Sequence, residues 1–149
     1  MIVRKVSNKL VSFIRSLEGY SAIPYRCAAN YITIGWGHEV KRGENFTEIT
    51  EDQATGLLHN DLLVAEGTVC RLITGPQEDY QYDALVSFCF NLGGARLAAS
   101  TLRMVVNRGE HDEAPIQIRR WVYAGGKKLK GLVHRRDQEA LMYEFGWYD

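Results

Sequence analysis

The most constraining feature of this sequence is a change in the spacing of its apolar residues after position 18. Over residues 3–17 apolar side chains recur every three or four positions, which predicts an amphipathic helix with one buried face. That face consists of Val3, Val6, Leu10, Phe13, Ile14 and Leu17. Residues 31–34 (Tyr-Ile-Thr-Ile) are instead aromatic and β-branched, as in a strand, and Gly35 and Gly37 predict a turn beside it.

Helical signals return at Thr50, where Thr50 and Gln53 form a capping-box pattern. Similar start and stop signals predict the later helices. These run from Pro76 to Gly93–Gly94, from Ser100 to Gly109, over 112–123 and over 132–145, with a Gly-Gly-Lys-Lys loop before the last. The prediction is an α+β fold in one domain over 1–149. A small β-containing lobe spans about 18–50, a helical lobe about 51–149 with the N-terminal helix, and a cleft lies between them.

Composition excludes several classes of protein. The 149 residues carry 18 basic and 18 acidic side chains, so a mainly electrostatic nucleic-acid binder is not expected. The apolar runs are too short for a membrane span, and the N-terminus lacks the apolar core of an export signal. The cysteines, Cys27, Cys70 and Cys89, are odd in number and lack C-x-x-C spacing, which argues against a disulfide framework or a zinc ribbon. No metal or other cofactor is predicted, and a monomer is expected.

Glu18 is the first candidate for a chemical role. It follows the predicted helix directly, and the macrodipole disfavours an anion at that C-terminal end. A position between an apolar helix face and a β segment is also expected to be partly buried, which favours the protonated carboxyl. A protonated carboxyl facing a cleft is what general-acid catalysis needs, as in glycoside hydrolysis. A lone glutamate at a helix end is, however, usually just a solvated charge.

The spacing around Glu18 resembles a known active-site segment. Cys27 follows after eight intervening residues, Thr33 after five more, and then Ile-Gly-Trp-Gly-His at 34–38. This resembles the T4-type phage lysozymes of glycoside hydrolase family 24, whose pattern has Asp or, less often, Cys at the second position. Further motifs in the same order resemble that family, so the resemblance covers about residues 10–145. They are Asp83–Gly93, Ser100–Leu102, Asn107–Gly109, Trp121, Gly125–Lys127, Gly131–Arg136 and Glu139.

The resemblance implies a two-lobed lysozyme fold and hydrolysis of the β-1,4 bond between N-acetylmuramic acid and N-acetylglucosamine in peptidoglycan (EC 3.2.1.17). Glu18 would be the general acid, and Thr33 would help to position the attacking water. Phe90 and Asn91 fall where the family lines its substrate cleft, while His38 is expected to be part of the scaffold. The implied biology is a phage endolysin. It would be made in the host cytoplasm, pass through a holin lesion and act on periplasmic peptidoglycan.

Cys27 departs from the better-known family members, which have aspartate there. An ordinary thiol, with a pKa of about 8.5, is only a few per cent ionised at neutral pH. Cys27 therefore has three possible states. It could be a thiolate, favoured by Arg26 or another cation, that acts as base or nucleophile. It could stay neutral beside Glu18 and a water held by Thr33, or the site could be inactive.

Three other readings remain open on sequence alone. A lytic transglycosylase could act on the same bond with Glu18 and no aspartate. A catalytically weak murein-binding domain could use the same scaffold. A cysteine peptidase would pair Cys27 with His38, His59, His111 or His134, but Cys27 is not at a helix N-terminus that would lower the pKa of a nucleophile.

Overall fold

The first helix, α1 (Asn8–Glu18), begins later than its apolar spacing predicts. The computed structural model describes residues 4–149, so Val3 of the predicted face lies outside the described residues. Ser7 ends the preceding extended segment, since its hydroxyl accepts a hydrogen bond from the backbone N–H of Leu10 at 3.2 Å. The predicted start was wrong because this cap sets the boundary. The predicted stop at Gly19 is confirmed: this residue has φ +69° and caps the helix.

A three-stranded antiparallel sheet follows α1. Its strands are β1 (Ser21–Arg26), β2 (Ile32–Gly35) and β3 (His38–Glu39), in the order β1-β2-β3. The predicted strand is confirmed as β2, although Tyr31 lies just before it. Gly35 and Gly37 both have positive φ, +66° and +81°, which fits the predicted turn between β2 and β3. The register pairs Tyr25 with Thr33 and Ile34 with His38.

The rest of the described chain is mainly helical. The further elements are α2 (Glu51–Leu72), α3 (Asp79–Leu92), α4 (Gly94–Ala98), α5 (Thr101–Asn107), α6 (Ala114–Ile118), β4 (Tyr123–Ala124), β5 (Lys127–Lys128) and α7 (Lys130–Phe145). The capping box at Thr50 is confirmed, as is the cap at Ser100. Helix α3 begins at Asp79 rather than at Pro76, because a second capping box between Glu78 and Gln81 sets its start.

Two predictions near the C-terminus need correction. The helix expected over 112–123 is reduced to α6, and the expected loop at 125–128 consists of the turn and the second strand of a small hairpin formed by β4 and β5. Gly125 and Gly126 have positive φ and form that turn. The short helix α4 was not predicted, since the paired glycines at 93–94 read as a stop rather than as the start of another helix.

Two apolar clusters of unequal size organise the α+β fold. The larger lies among the helices and includes Leu10, Leu62 and Phe88. The smaller lies under the sheet and consists of Ile34, Ile49 and Ala54. Helix α2 contributes to both clusters, and the half-buried Trp36 packs against both. No helix between residues 4 and 149 is long and apolar enough to cross a membrane.

Close backbone contact joins the sheet to α2. A Cβ atom on Gly35 would lie 3.0 Å from the Cβ of Ala54, a distance that leaves no room for a side chain without a shift. His38 strengthens this junction, since it is 5% exposed and its Nδ1 lies 2.8 Å from a carboxylate oxygen of Asp61 on α2. Its Nε2 lies 3.0 Å from Glu44. His38 thus fits the scaffold role expected of it.

The His38 contacts predict a pH-dependent contribution to stability. Burial alone lowers the pKa of His38, but the hydrogen bonds and charges of Asp61 and Glu44 outweigh burial, and the pKa is raised. A raised histidine pKa stabilises the fold fully below the unfolded pKa of about 6.5, and this contribution is lost as pH rises through the folded pKa. We expect His38→Gln to lower the free energy of unfolding by roughly 1.5–3 kcal/mol at pH 5.5 and by less at pH 9.

Urea unfolding at the two pH values measures this difference. His59→Gln is the matched control, because His59 is exposed on α2, the helix that carries the His38 partner Asp61. An equal loss for His38→Gln at both pH values would contradict the charged pairing.

Candidate functional site

Glu18 is the last residue of α1 and lies at the junction of the sheet and the helices. Its Oε1 accepts a hydrogen bond from Nη1 of Arg135 on α7 at 3.2 Å. Its Oε2 faces the turn between β2 and β3, where a Cβ on Gly37 would lie only 2.7 Å away. The Glu18 side chain remains 27% exposed, so it is held from two sides and still reaches solvent.

A cleft of about 500 Å³ opens at Glu18. The end of α3 forms one wall, with Phe90 and Asn91, both of which had been predicted to contact substrate. The other lining residues come from the turn and β3, from α2, and from α3 and its C-terminal end: Gly37, Glu39, Lys41, Asp61, Val64, Ala65, Thr68, Cys89, Gly93 and Gly94. A larger cavity of about 700 Å³, between α1 and residues 146–149, contains none of the predicted site residues. The smaller cleft is therefore the candidate site.

The side chains of the two predicted binding residues are held in different ways. Phe90 is half-buried against the larger apolar cluster and presents the rest of its ring to the cleft. Asn91 is exposed, but its Oδ1 accepts a hydrogen bond from Nη2 of the fully buried Arg136. The Asn91 amide is thus fixed with its N–H₂ group free to donate toward the cleft.

Cys27 and Thr33 lie together on the sheet, outside the residues that line the cleft. Cys27 follows β1 directly, and the N–H of Tyr31 and the hydroxyl of Thr33 lower the pKa of the Cys27 thiol. The Thr33 hydroxyl has one proton, and it also lies 3.1 Å from the carbonyl oxygen of Tyr31, to which it can donate. Arg26, the cation suggested by the sequence, instead donates to the carbonyl of Asn30. The backbone N–H of Tyr31, rather than Arg26, is therefore the main group that favours the thiolate, and the Thr33 hydroxyl contributes when its proton turns from the Tyr31 carbonyl to the thiol.

A buried ion cluster stands behind Glu18. Glu139 on α7 has no solvent exposure, and its Oε2 accepts hydrogen bonds from Nε of Arg135 at 3.2 Å and from the hydroxyl of Ser87 at 2.5 Å. Nε of Arg136 lies 2.9 Å from Oε1 of Glu139, an ion pair whose angles do not meet those of a hydrogen bond. Burial lowers the pKa of Arg136, although the charge of Glu139 opposes this shift.

Sequence reasoning gave this cluster no role. The C-terminal motif of the resemblance contains Arg135, Arg136 and Glu139 but assigns them no role. The i, i+4 spacing of Arg135 and Glu139 on a predicted helix was a usable signal for an ion pair. Nothing in the sequence indicated that Ser87 and Glu18 would be the other partners, because both contacts join distant segments.

The site offers little to a metal ion. Within residues 4–149 no group of three histidine, cysteine, aspartate or glutamate side chains is arranged to hold one. Cys70 and Cys89 are free thiols, and burial raises the pKa of Cys89 to about 11, so it behaves as a structural thiol.

Comparison with known proteins gives a consistent result. The family profile described as phage lysozyme matches residues 15–139. The endolysin of Bacillus phage B103 is 34% identical over 95% of this chain, which spans only 54% of that relative's length. The solved endolysin from Escherichia coli O157:H7 phage FAHEc1 superposes with a TM-score of 0.90 at 29% identity, covering 98% of this chain and 97% of the other. The muramidase domain of SpmX from Asticaccaulis excentricus gives 0.85 at 31% identity, covering 95% and 98%.

The environment of Cys27 predicts a reactive thiol. We expect the iodoacetamide reaction of Cys27 to reach half its limiting rate below the pH of an ordinary cysteine, about 8.5, since the lowered pKa increases the thiolate fraction. Thr33→Val should move that midpoint upward, because it removes a donor without changing side-chain volume. Mass spectrometry of alkylated peptides over a pH series measures both midpoints.

Cys27→Ser is the control, and it should abolish the fast phase and leave the buried Cys89 unmodified in the folded protein. A Thr33→Val midpoint equal to that of the wild type would show that the hydroxyl does not contact the thiol.

Proposed function

This chain belongs to the phage lysozyme family, and on that premise we propose that it is an endolysin hydrolysing the β-1,4 bond between N-acetylmuramic acid and N-acetylglucosamine. The observation that carries the proposal is the placement of Glu18 at the mouth of a cleft between the sheet and α3. The muramidase domain that superposes on this chain supports the choice of bond. Peptidoglycan glycan strands are the proposed substrate, and passage through a holin lesion the proposed route to it.

In the proposed reaction Glu18 protonates the glycosidic oxygen as the bond to the leaving sugar breaks. The carboxyl is fixed for this by Arg135 on one side and by the turn at Gly37 on the other. Phe90 offers an apolar surface to a sugar ring, and the Asn91 amide donates to a sugar oxygen. All three side chains lie on a helix or at a helix end, so their relative positions are rigid.

We assign the second part of the reaction to Cys27 and Thr33, which lie on the sheet outside the residues that line the cleft. The Thr33 oxygen accepts a hydrogen bond from a water. The Cys27 thiolate either takes that water's proton as the water attacks the anomeric carbon, or attacks the carbon itself to form a glycosyl–sulfur bond that the water then breaks. The lowered pKa of Cys27 supports the ionised form. The choice between base and nucleophile corresponds to inversion or retention at the anomeric carbon.

Lytic transglycosylase activity is the second candidate, and the presence of cysteine instead of aspartate is what favours it. The peptidase alternative has less support, because both ring nitrogens of His38 lie against the carboxylates of Asp61 and Glu44. His38 therefore offers no free nitrogen to activate Cys27.

Removal of the acid tests the proposal. Glu18→Gln should lower the rate of peptidoglycan solubilisation by at least about 100-fold, since general-acid catalysis contributes that much or more. Release of dye-labelled peptidoglycan measures the rate, and mass spectrometry of the fragments identifies the chain ends. Free reducing ends support hydrolysis, whereas 1,6-anhydro ends would establish transglycosylation instead.

Glu48→Gln is the control for loss of a carboxylate, because Glu48 is exposed and outside the cleft. Full activity in Glu18→Gln would refute the assignment of the acid. Binding without solubilisation by the wild type would indicate a non-catalytic murein-binding domain.

The role of Cys27 needs three substitutions. We expect Cys27→Asp to retain activity, and Cys27→Ala and Cys27→Ser to lose it, because only an ionisable group restores the thiolate's function. The same dye-release assay, run from pH 5 to 9, measures the rates. If all three variants match the wild type, Cys27 has no part in the reaction.

A further inference from the structure

We propose that buried Glu139 sets the charge that the shared guanidinium of Arg135 presents to Glu18. This inference rests on the proposed function, since it assigns a positioning role behind the proposed acid. Glu139 does not touch substrate, and its effect passes through Arg135. The proposal therefore explains why a carboxylate with no solvent exposure lies next to the candidate site.

Arg135 joins the two carboxylates directly. Its Nε donates to Glu139 at 3.2 Å, and its Nη1 donates to Glu18 at 3.2 Å. Its Nη2 lies 3.4 Å from the carbonyl and hydroxyl oxygens of Ser87 on α3. The Arg135 side chain is only 7% exposed, so water screens these contacts weakly. A change of charge at Glu139 is consequently felt at Glu18.

The sign of the effect follows from the charges in the cluster. A guanidinium facing Glu18 favours the ionised carboxylate, which is the wrong state for a general acid. Glu139 binds the same guanidinium and also pairs with Arg136, so it offsets positive charge that would otherwise act on Glu18 alone. The buried carboxylate thus reduces the positive charge that Arg135 presents to Glu18.

The other titratable groups of the proposed site, including the Cys27 thiol on the sheet, are the same in every variant. Glu39 and Lys41 line the cleft from the sheet side, and Asp61 lines it from α2, where it is paired with His38. On α1 itself, Arg15 stacks over the ring of Trp36. None of these groups is in the Glu139 cluster, so substitutions at 135 and 139 change one set of charges and leave the rest.

Opposite substitutions make opposite predictions. In Glu139→Gln the positive charge of Arg135 is no longer offset. The alkaline limb of the pH–rate profile, the part above which kcat/KM falls, should therefore move to lower pH by about one unit. In Arg135→Gln the cation is absent, and the same limb should move up by about 1–2 pH units. A purely structural role would lower the rate without moving the limb in either direction.

The experiment is a pH–rate profile of dye-labelled peptidoglycan release by full-length variants at limiting substrate. Glu144→Gln is the matched control, because Glu144 is exposed on the same helix α7. Near-UV circular dichroism shows whether each variant is folded. If Glu139→Gln does not fold, Glu139→Asp carries the test, because its shorter side chain draws the same charge away from Arg135 and should move the limb in the same downward direction by less.

The outcomes separate this proposal from the function on which it rests. An inactive wild type, or a fully active Glu18→Gln variant, overturns the proposed function. If the wild type is active and Glu18→Gln is inactive, an alkaline limb that does not move down in a folded Glu139 variant overturns the role of Glu139 alone, whatever Arg135→Gln does. Limbs that move in the two opposite directions support it.

Discussion

The buried carboxylate of Glu139 is the constraint on which much of this molecule depends. A charge without solvent exposure is tolerated only when cations and hydrogen-bond donors surround it. Here the cations come from the same helix, Arg135 and Arg136, while the hydroxyl comes from Ser87 on α3. The pairing therefore fixes the rotation of α7 against α3, and with it the direction in which Arg135 points.

The same arrangement connects packing with chemistry. Arg135 reaches past the core to the last residue of α1, while Arg136 reaches the exposed Asn91 at the end of α3. One cluster thus orients the proposed acid and one proposed binding residue. On the sheet side, donors of the backbone and of Thr33 act on Cys27 instead. The candidate site is therefore supported by two independent sets of contacts, one in the helices and one in the sheet.

Much of the fold could be predicted because its signals are local. The apolar face of α1, the strand at β2 and the cap at Ser100 depend on residues close in sequence. Predicted helix boundaries were wrong where another local signal competed with the apolar spacing. The Ser7 cap, for example, makes α1 begin later than that spacing predicts. At the site, the resemblance to a known family suggested Glu18, Cys27 and Thr33, but the backbone donor to Cys27 and the Glu18–Arg135 contact were not visible. Both depend on geometry that only the folded chain creates.

The two glycines of the Gly-Trp-Gly segment acquire a different meaning in this light. Gly35 lets the sheet approach Ala54 on α2, and Gly37 lets the same turn approach Glu18 on α1. Each has positive φ, and the segment meets Ala54 of α2 on one side and the side chain of Glu18 at the end of α1 on the other. A side chain at Gly35 would press on Ala54, and one at Gly37 would have to displace the Glu18 carboxylate. The shape of this turn and the position of the proposed acid are therefore coupled through two residues that have no side chain.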